Sequence, residues 1–162
     1  MGRSLSSKNG NDCVMTPVYL TKQIVEHFNP QGKILEPCCG NGNFLQAMPS
    51  ADWCEIDKGK DFLTIQGHWD WIITNPPYSK YRLFLTKSME VADNIVFLIP
   101  LVHIWTKARL KIMQDNGFRI KEIYYFETPK EFPQMGFQFG CVYYKRNWRG
   151  ETAIQEFKRR AG

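Results

Sequence analysis

The sequence lacks any apolar run long enough to cross a membrane. Its longest such stretch, residues 95–102, falls far short of the roughly 20 residues that a spanning helix needs. The first twelve residues are mostly polar and contain no apolar core of a secretory signal peptide. We therefore expect a flexible leader over residues 1–13, no membrane association and a cytoplasmic, intracellular location.

Cysteine pairs spaced to hold a metal are also missing. The chain has five cysteines, an odd number, and none of them form a CxxC pair. Cysteines without such a pattern are usually small buried side chains of a protein in a reducing compartment. We therefore predict neither a disulfide nor a bound metal.

Acidic residues are fewer than basic ones, 16 against 21, and the net charge is +5. The excess is greatest near the C-terminus, where only Glu151 and Glu156 balance the basic side chains. These basic residues are Lys145, Arg146, Arg149, Lys158, Arg159 and Arg160. Such an excess suits a polyanionic partner such as nucleic acid, although a solvated short helix would explain it equally well. We predict a basic C-terminal tail over residues 149–162.

Helical and strand-like patterns alternate along the chain, which predicts a single α/β domain with a largely parallel sheet. Thr16-Pro17 is typical of an N-cap followed by proline at the first helical position. The segment 57–69 is too short for a full helix and strand, so we expect an abbreviated crossover there. Predicted helices cover 17–28, a stretch from about 43, 80–91 and 105–115. Predicted strands cover 33–35, 52–56, 70–74, 94–99 and an antiparallel pair at 120–126 and 138–145.

A glycine-rich turn, Cys39-Gly40-Asn41-Gly42-Asn43, joins the first predicted strand to the second helix. The next strand ends in Glu55 and Asp57. This order is typical of nucleoside binding, because glycines admit the ligand and the acid can accept hydrogen bonds from ribose hydroxyls. No lysine or arginine lies in the turn to meet phosphates, so a ribose ligand without pyrophosphate is favoured. A tight turn without a ligand is the alternative.

The motif Asn75-Pro76-Pro77-Tyr78 follows the strongly apolar strand 70–74. Two prolines hold the backbone extended and remove two N–H donors, so carbonyls and the Asn75 side-chain oxygen form a compact set of acceptors. Acceptors on both N–H bonds of an exocyclic amine free its lone pair and stabilise the positive charge that develops on methylation. Tyr78 offers a flat face to a planar substrate. We therefore predict Asn75, Pro76, Pro77 and Tyr78 as the catalytic clamp.

In combination, these motifs resemble the catalytic domain of the N6-adenine-specific DNA methyltransferases of the NPPY type, whose cofactor motifs precede the catalytic one. The resemblance runs from about residue 14 to 146 and implies a methyltransferase domain over 14–148. It implies the class I S-adenosylmethionine-dependent methyltransferase (Rossmann-like) fold, a doubly wound, mostly parallel seven-stranded sheet with a C-terminal antiparallel hairpin. The implied methyl donor is S-adenosyl-L-methionine, with S-adenosylhomocysteine as product.

The resemblance also implies which residues bind the cofactor. Thr16-Pro17 would help to hold the methionine carboxylate, and Glu55-Ile56 would contact the ribose, chiefly through Glu55. Asp61 would bind the amino group of the cofactor's adenine, with Phe62 against its ring. Further implied cofactor contacts are Glu36, Pro37, Cys38, Gly40, Asn43 and Phe44 in the glycine-rich loop, and Asn75 at the clamp.

For the substrate, the resemblance implies that the target adenine is flipped out of a duplex into the pocket. Tyr78 and Phe132, within Glu131-Phe132-Pro133-Gln134, would stack on opposite faces of this base. Aromatic stacking at about 1–3 kcal/mol per base could offset an unstacking cost of a few kcal/mol.

Three functions remain open at this point. The favoured one is methylation of adenine N6 in nucleic acid, with DNA preferred over RNA. Methylation of a protein glutamine amide needs the same clamp, and a non-catalytic nucleic-acid-binding subunit of a methyltransferase complex is the third. We expect no target-recognition domain after the catalytic one, so specificity could come from a partner chain. A bacterial or phage-like setting fits such a compact protein.

Overall fold

The computed structural model of this chain describes residues 14–134 and 136–156. The helices in this part are α1 Val18–Phe28, α2 Asn43–Ala47, α3 Tyr81–Val91 and α4 Lys107–Asp115. The strands are β1 Ile34–Glu36, β2 Asp52–Trp53, β3 Trp69–Thr74, β4 Ala92–Pro100, β5 Phe118–Tyr125, β6 Phe139–Arg146 and β7 Ala153–Glu156. Short 3₁₀ turns cover Ile56–Lys58, Phe62–Thr64, Tyr78–Lys80 and Leu101–Trp105.

The seven strands form one sheet in the order β2-β1-β3-β4-β6-β5-β7. Strands β2, β1, β3 and β4 pair in parallel, whereas β6 is antiparallel to both of its neighbours, β4 and β5. Because β7 is parallel to β5, every strand except β6 ends at the same edge of the sheet. This arrangement confirms the predicted class I methyltransferase fold with its C-terminal antiparallel hairpin.

Helices cover both faces of the sheet, as a doubly wound fold requires. One core packs α1 and α2 against Ile73 and Val96, and the other packs α3 and α4 against Ile72 and Ile95. Neighbouring residues of a strand point to opposite faces, so the central strands are apolar on both sides. Each such buried side chain contributes about 1.5–3 kcal/mol, which makes the sheet a rigid support for the loops at its edge.

The connection from β2 to β3 is abbreviated, as the sequence predicts. Two 3₁₀ turns, Ile56–Lys58 and Phe62–Thr64, replace a full helix and strand. As a result, β2 lies at the edge of the described sheet and is only two residues long.

The described part of the predicted basic tail contains a strand and no helix. Residues Ala153–Glu156 form β7, which pairs in parallel with Glu122–Tyr125 of β5. The reason is that β5 would otherwise present a row of unpaired backbone groups at the edge of the sheet. The predicted leader, residues 1–13, and the last residues of the predicted tail, 157–162, lie outside the described part.

Two helix starts also differ from the prediction. Helix α1 begins at Val18 with Pro17 as its N-cap and without a side-chain cap, so Thr16 does not cap it and instead bonds to Asn75. Helix α4 begins at Lys107 after a 3₁₀ turn, and Thr106 caps it by accepting a hydrogen bond from the N–H of Arg109. Within the described residues, no helix is long and apolar enough to cross a membrane.

Candidate functional site

The loops that carry the predicted motifs meet at one edge of the sheet. The glycine-rich turn follows β1, Glu55 lies just after β2, and the Asn75 to Tyr78 clamp follows β3. Because these three strands are parallel neighbours, their carboxyl ends lie side by side. This edge is where open α/β sheets bind ligands.

The Asn75 side chain is held in one orientation by the segment before α1. Its Nδ2 donates to the carbonyl oxygen of Val14 and to Oγ1 of Thr16, both at 3.2 Å. Since the N–H₂ end of the amide is bound in this way, the Oδ1 end is directed away from these partners. The clamp therefore presents the Asn75 Oδ1 as an acceptor. Thr16, which is distant in the sequence, contributes by holding the amide in this orientation.

Tyr78 packs at the junction of the two cores, with Phe139 and His103 as ring neighbours. Its ring centroid lies 6.1 Å from each of theirs. Pro76 before it is buried, while Pro77 and Tyr78 are half-buried. The clamp is therefore a supported segment that still has accessible surface.

A buried carboxyl group connects the glycine-rich loop to the clamp. Glu36 is 1% exposed, and its Oε1 accepts hydrogen bonds from the Cys38 N–H at 3.1 Å and from the Thr74 hydroxyl. The Cys38 Sγ lies 2.9 Å from Thr74 Oγ1 and 3.3 Å from the carbonyl oxygen of Asn75. The two loops are thereby connected through Thr74, a link that sequence reasoning missed.

Burial raises the pKa of Glu36 from 4.5 to about 8, although the bonds from Thr74 and Cys38 oppose this shift. Burial likewise raises the pKa of Cys38 well above its ordinary value. Both groups are therefore protonated near neutral pH. In this state Glu36 is an uncharged connector, and Cys38 is not a thiolate nucleophile.

We expect Glu36→Gln to remove a pH dependence of stability. Between about pH 4.5 and 8, unfolded Glu36 releases its proton while folded Glu36 keeps it, so rising pH favours the unfolded wild-type chain. The free energy of unfolding of wild type should therefore fall relative to the variant as pH rises through this window. Urea unfolding of both proteins at pH 5 and 8.5 measures this, and a constant difference would contradict it.

The predicted ribose acid is oriented by backbone donors. Glu55 Oε2 accepts from the Gly40 N–H at 2.8 Å, and Oε1 accepts from the Asp57 N–H at 3.4 Å. Gly40 has a φ of 53°, and a Cβ there would lie 3.0 Å from the Met15 sulfur, so glycine is favoured at this position. Ile56 is 60% exposed and offers apolar surface beside the carboxylate.

Three further residues hold the glycine-rich loop in its conformation. Asn43 Nδ2 donates to the carbonyl oxygen of Thr16 at 2.7 Å, which ties the start of α2 to the segment before α1. Phe44 is 5% exposed in the core, and Pro37 is also buried. These three residues shape the loop.

Asp61 lines a groove of about 530 Å³ along β2, and Phe62 follows it in the chain. Asp61 Oδ1 accepts from the Leu63 N–H at 2.9 Å. Phe62 is 2% exposed, and its ring centroid lies 5.1 Å from that of Phe84. The Phe62 ring is therefore part of the core in this arrangement, while Asp61 lines the groove.

Phe132 is close to the clamp but buried. It is 1% exposed, and its ring centroid lies 5.2 Å from that of Phe139, which also contacts Tyr78. The structure therefore brings Phe132 and Tyr78 to the same region without leaving a face of Phe132 open. Phe137, five residues later, is 52% exposed.

Sequence reasoning did not single out His103, which lies in the 3₁₀ turn after β4. Strand β4 pairs with the clamp strand β3, and the sequence alone does not show this pairing. Within the described residues, no group of three or more His, Cys, Asp or Glu side chains could hold a metal ion. The four cysteines described, Cys38, Cys39, Cys54 and Cys141, are free thiols.

No protein-family model matches the chain, and no curated protein sequence matches it. Solved structures do match. A Listeria monocytogenes protein assigned as a class I S-adenosylmethionine-dependent methyltransferase aligns with a TM-score of 0.67 at 15% identity, over 88% of this chain and 65% of that one. A Pyrococcus horikoshii protein assigned as an RNA methyltransferase gives 0.59 at 16%, over 80% and 81%.

The M protein of the type I restriction enzyme EcoKI aligns with a TM-score of 0.62 at 13% identity, over 82% of this chain. The chain spans only 44% of the length of that M protein. At such low identities the likeness concerns the fold. This chain therefore has the fold of the class I S-adenosylmethionine-dependent methyltransferases.

Proposed function

We propose that this chain transfers a methyl group from S-adenosylmethionine to adenine N6 in nucleic acid, with DNA favoured. The observation that carries the proposal is the orientation of the Asn75 amide. Its N–H₂ end is bound to Val14 and Thr16, so its oxygen is directed away from them and is the proposed acceptor for a substrate amine. Together with the Pro76 carbonyl, this oxygen would give an exocyclic nitrogen the two acceptors that it needs.

The residues present fit the proposed cofactor. Gly40 and Gly42 have positive φ values of 53° and 89°, so the loop offers backbone without side chains to the methionine part. Glu55, held by the Gly40 N–H, would accept from the ribose hydroxyls with Ile56 beside it, and Asp61 would lie near the amino group of the cofactor's adenine. When bound, the cofactor would supply an electrophilic methyl group.

At the clamp, Asn75 Oδ1 and the Pro76 carbonyl would each accept one N–H of the adenine amine. These bonds free the nitrogen lone pair for in-line attack and stabilise its developing positive charge. The Tyr78 ring would support one face of the flipped-out base. The proposed stacking role of Phe132 on the other face requires the segment 127–138 to open, because that ring is now buried.

The neighbouring structures support nucleic acid as the substrate class. The EcoKI M protein belongs to a restriction enzyme, and the Pyrococcus protein is assigned to RNA. Other matching structures are a modification subunit of a type I restriction enzyme and a type I restriction-modification complex, and we propose that here too a partner chain contributes to target choice. Methylation of a protein glutamine amide is the second candidate, favoured only by its need for the same clamp.

The direct test is transfer of labelled methyl from S-adenosylmethionine to DNA, RNA and protein by the purified chain. Digestion of the labelled polymer should yield N6-methyladenine, most of it from DNA. Label in methylglutamine would transfer the assignment to the second candidate. If cofactor binds but no polymer is labelled, a partner-dependent subunit is indicated.

We expect Glu55→Ala to weaken S-adenosylmethionine binding at least about tenfold, since hydrogen bonds to a charged group contribute about 1.5–3 kcal/mol. Asp57→Ala is the matched control, because it removes an exposed acid two residues away. Calorimetric titration of both variants measures the effect. If Asp57→Ala weakens binding and Glu55→Ala does not, the ribose acid is Asp57.

A further inference from the structure

We infer that His103 is a specificity-determining residue of this site, a neutral imidazole whose Nε2–H donates a hydrogen bond to a ring nitrogen of the target adenine. The inference rests on the proposed function, because it names a contact to the proposed substrate. His103 belongs to none of the motifs that the sequence presents.

The topology places His103 beside the clamp. Strands β3 and β4 are parallel neighbours, with Thr74 opposite Phe97, so the turn Leu101–Trp105 after β4 lies next to the residues after β3. The ring centroids of His103 and Tyr78 are 6.1 Å apart. A planar base supported by the Tyr78 ring would therefore have its edge within reach of the imidazole.

Arg109 determines which nitrogen of His103 carries the proton. Its Nη1 lies 3.1 Å from His103 Nδ1 and donates to the His103 carbonyl oxygen at 2.8 Å. A guanidinium group only donates hydrogen bonds, so Nδ1 must accept, and the neutral ring carries its proton on Nε2. Burial and the charge of Arg109 both lower the pKa of His103, which keeps the ring in this neutral form.

The imidazole is fixed in place by its other neighbours. The Tyr81 ring stacks on it at 6.0 Å and 26°, and Arg109 lies over the same Tyr81 ring at 4.6 Å. Tyr81 in turn is anchored by a hydrogen bond of 2.7 Å between its hydroxyl and that of Tyr144. A donor held this firmly is preorganised to discriminate between ligands.

The Nε2–H has no acceptor among residues 14–134 and 136–156, since the polar contacts of the ring there all involve Nδ1. His103 Nε2 is not fully buried, so an acceptor on a ligand can reach its N–H. Adenine offers unprotonated ring nitrogens on its edges, and one of them would accept the hydrogen bond from the His103 Nε2–H.

The test uses DNA oligonucleotides whose target adenine is replaced by 1-deaza-, 3-deaza- or 7-deazaadenine, each lacking one ring nitrogen. One analogue should lower the kcat/KM of the wild type by about 10- to 100-fold, which is the range for the loss of a good base contact. His103→Phe keeps a ring without a donor, so it should slow normal substrate similarly and be insensitive to that analogue. His103→Gln keeps an N–H and should retain much of the discrimination.

Additive effects of the analogue and His103→Phe would overturn the inference, as would equal losses in the phenylalanine and glutamine variants. Thermal melting and cofactor titration of each variant separate these outcomes from a folding defect. The ¹⁵N NMR shifts of the histidine side chains provide a readout without turnover, and protonation on Nδ1 of His103 would also overturn it. If wild type methylates no adenine at all, the proposed function fails and the inference with it.

Discussion

Replacing Asn75 with alanine should reduce methyl transfer by at least about a hundredfold to a thousandfold, the scale on which one preorganised polar group acts in an active site. The amide oxygen is the side-chain member of the proposed acceptor pair, and nothing in alanine replaces it. Cofactor binding should change little, because Glu55 and the glycine-rich loop would hold most of the cofactor. Single-turnover methylation with labelled cofactor, alongside calorimetric titration, measures the two quantities separately.

Two companion variants make this prediction more specific. Asn75→Asp keeps side-chain acceptors and should retain more activity than the alanine variant. Thr16→Val removes the hydroxyl that accepts from Asn75 Nδ2, so it should lower the rate moderately by releasing the amide orientation. Unimpaired turnover in Asn75→Ala would exclude the clamp assignment, whatever the companions do.

The second large effect is on stability. Phe132→Ala should lower the free energy of unfolding by about 3–5 kcal/mol, because a large buried ring is lost and a cavity remains. The ring is 1% exposed and packs against Phe139. Phe137→Ala is the matched control, since that ring is 52% exposed and its removal should change stability by about 0.5 kcal/mol or less.

Urea unfolding of the two variants measures the difference. A loss of less than about 1 kcal/mol in Phe132→Ala would mean that its ring contributes little to the core and is free to serve a base. If Phe132→Ala loses that much stability but keeps normal turnover when enough cofactor is present to stabilise it, Phe132 does not contact the substrate. The outcome decides whether Phe132 acts with Tyr78 as a stacking pair, as the family resemblance implies.

The motifs around Gly40, Glu55 and Asn75 could be placed from sequence because each follows a predicted strand. In a parallel sheet, strand ends meet at one edge, so a motif's position along the chain already predicts its position in space. The same reasoning could not foresee β7. Its four residues are all exposed and show no alternating pattern, and they form a strand only because β5 offers a free edge.

The helix cap predicted at Thr16 failed for a similar reason. A threonine before a proline fits a local capping pattern, but its hydroxyl is used by Asn75, 59 residues further on. Local patterns describe what a residue can do with its neighbours in sequence. They do not include the competing partner that the fold brings to it.

By itself, the sequence determined an α/β domain through its apolar periodicity, the class I methyltransferase fold through its resemblance to a known family, and the shortened connection after β2 through the length of that segment. Only the tertiary structure decided which implied side chains are accessible, that Phe62 and Phe132 are core residues in this arrangement, and that Arg109 directs the His103 proton to Nε2. Exposure and protonation depend on contacts between distant segments, and such contacts exist only once the sheet and its two helical layers have packed.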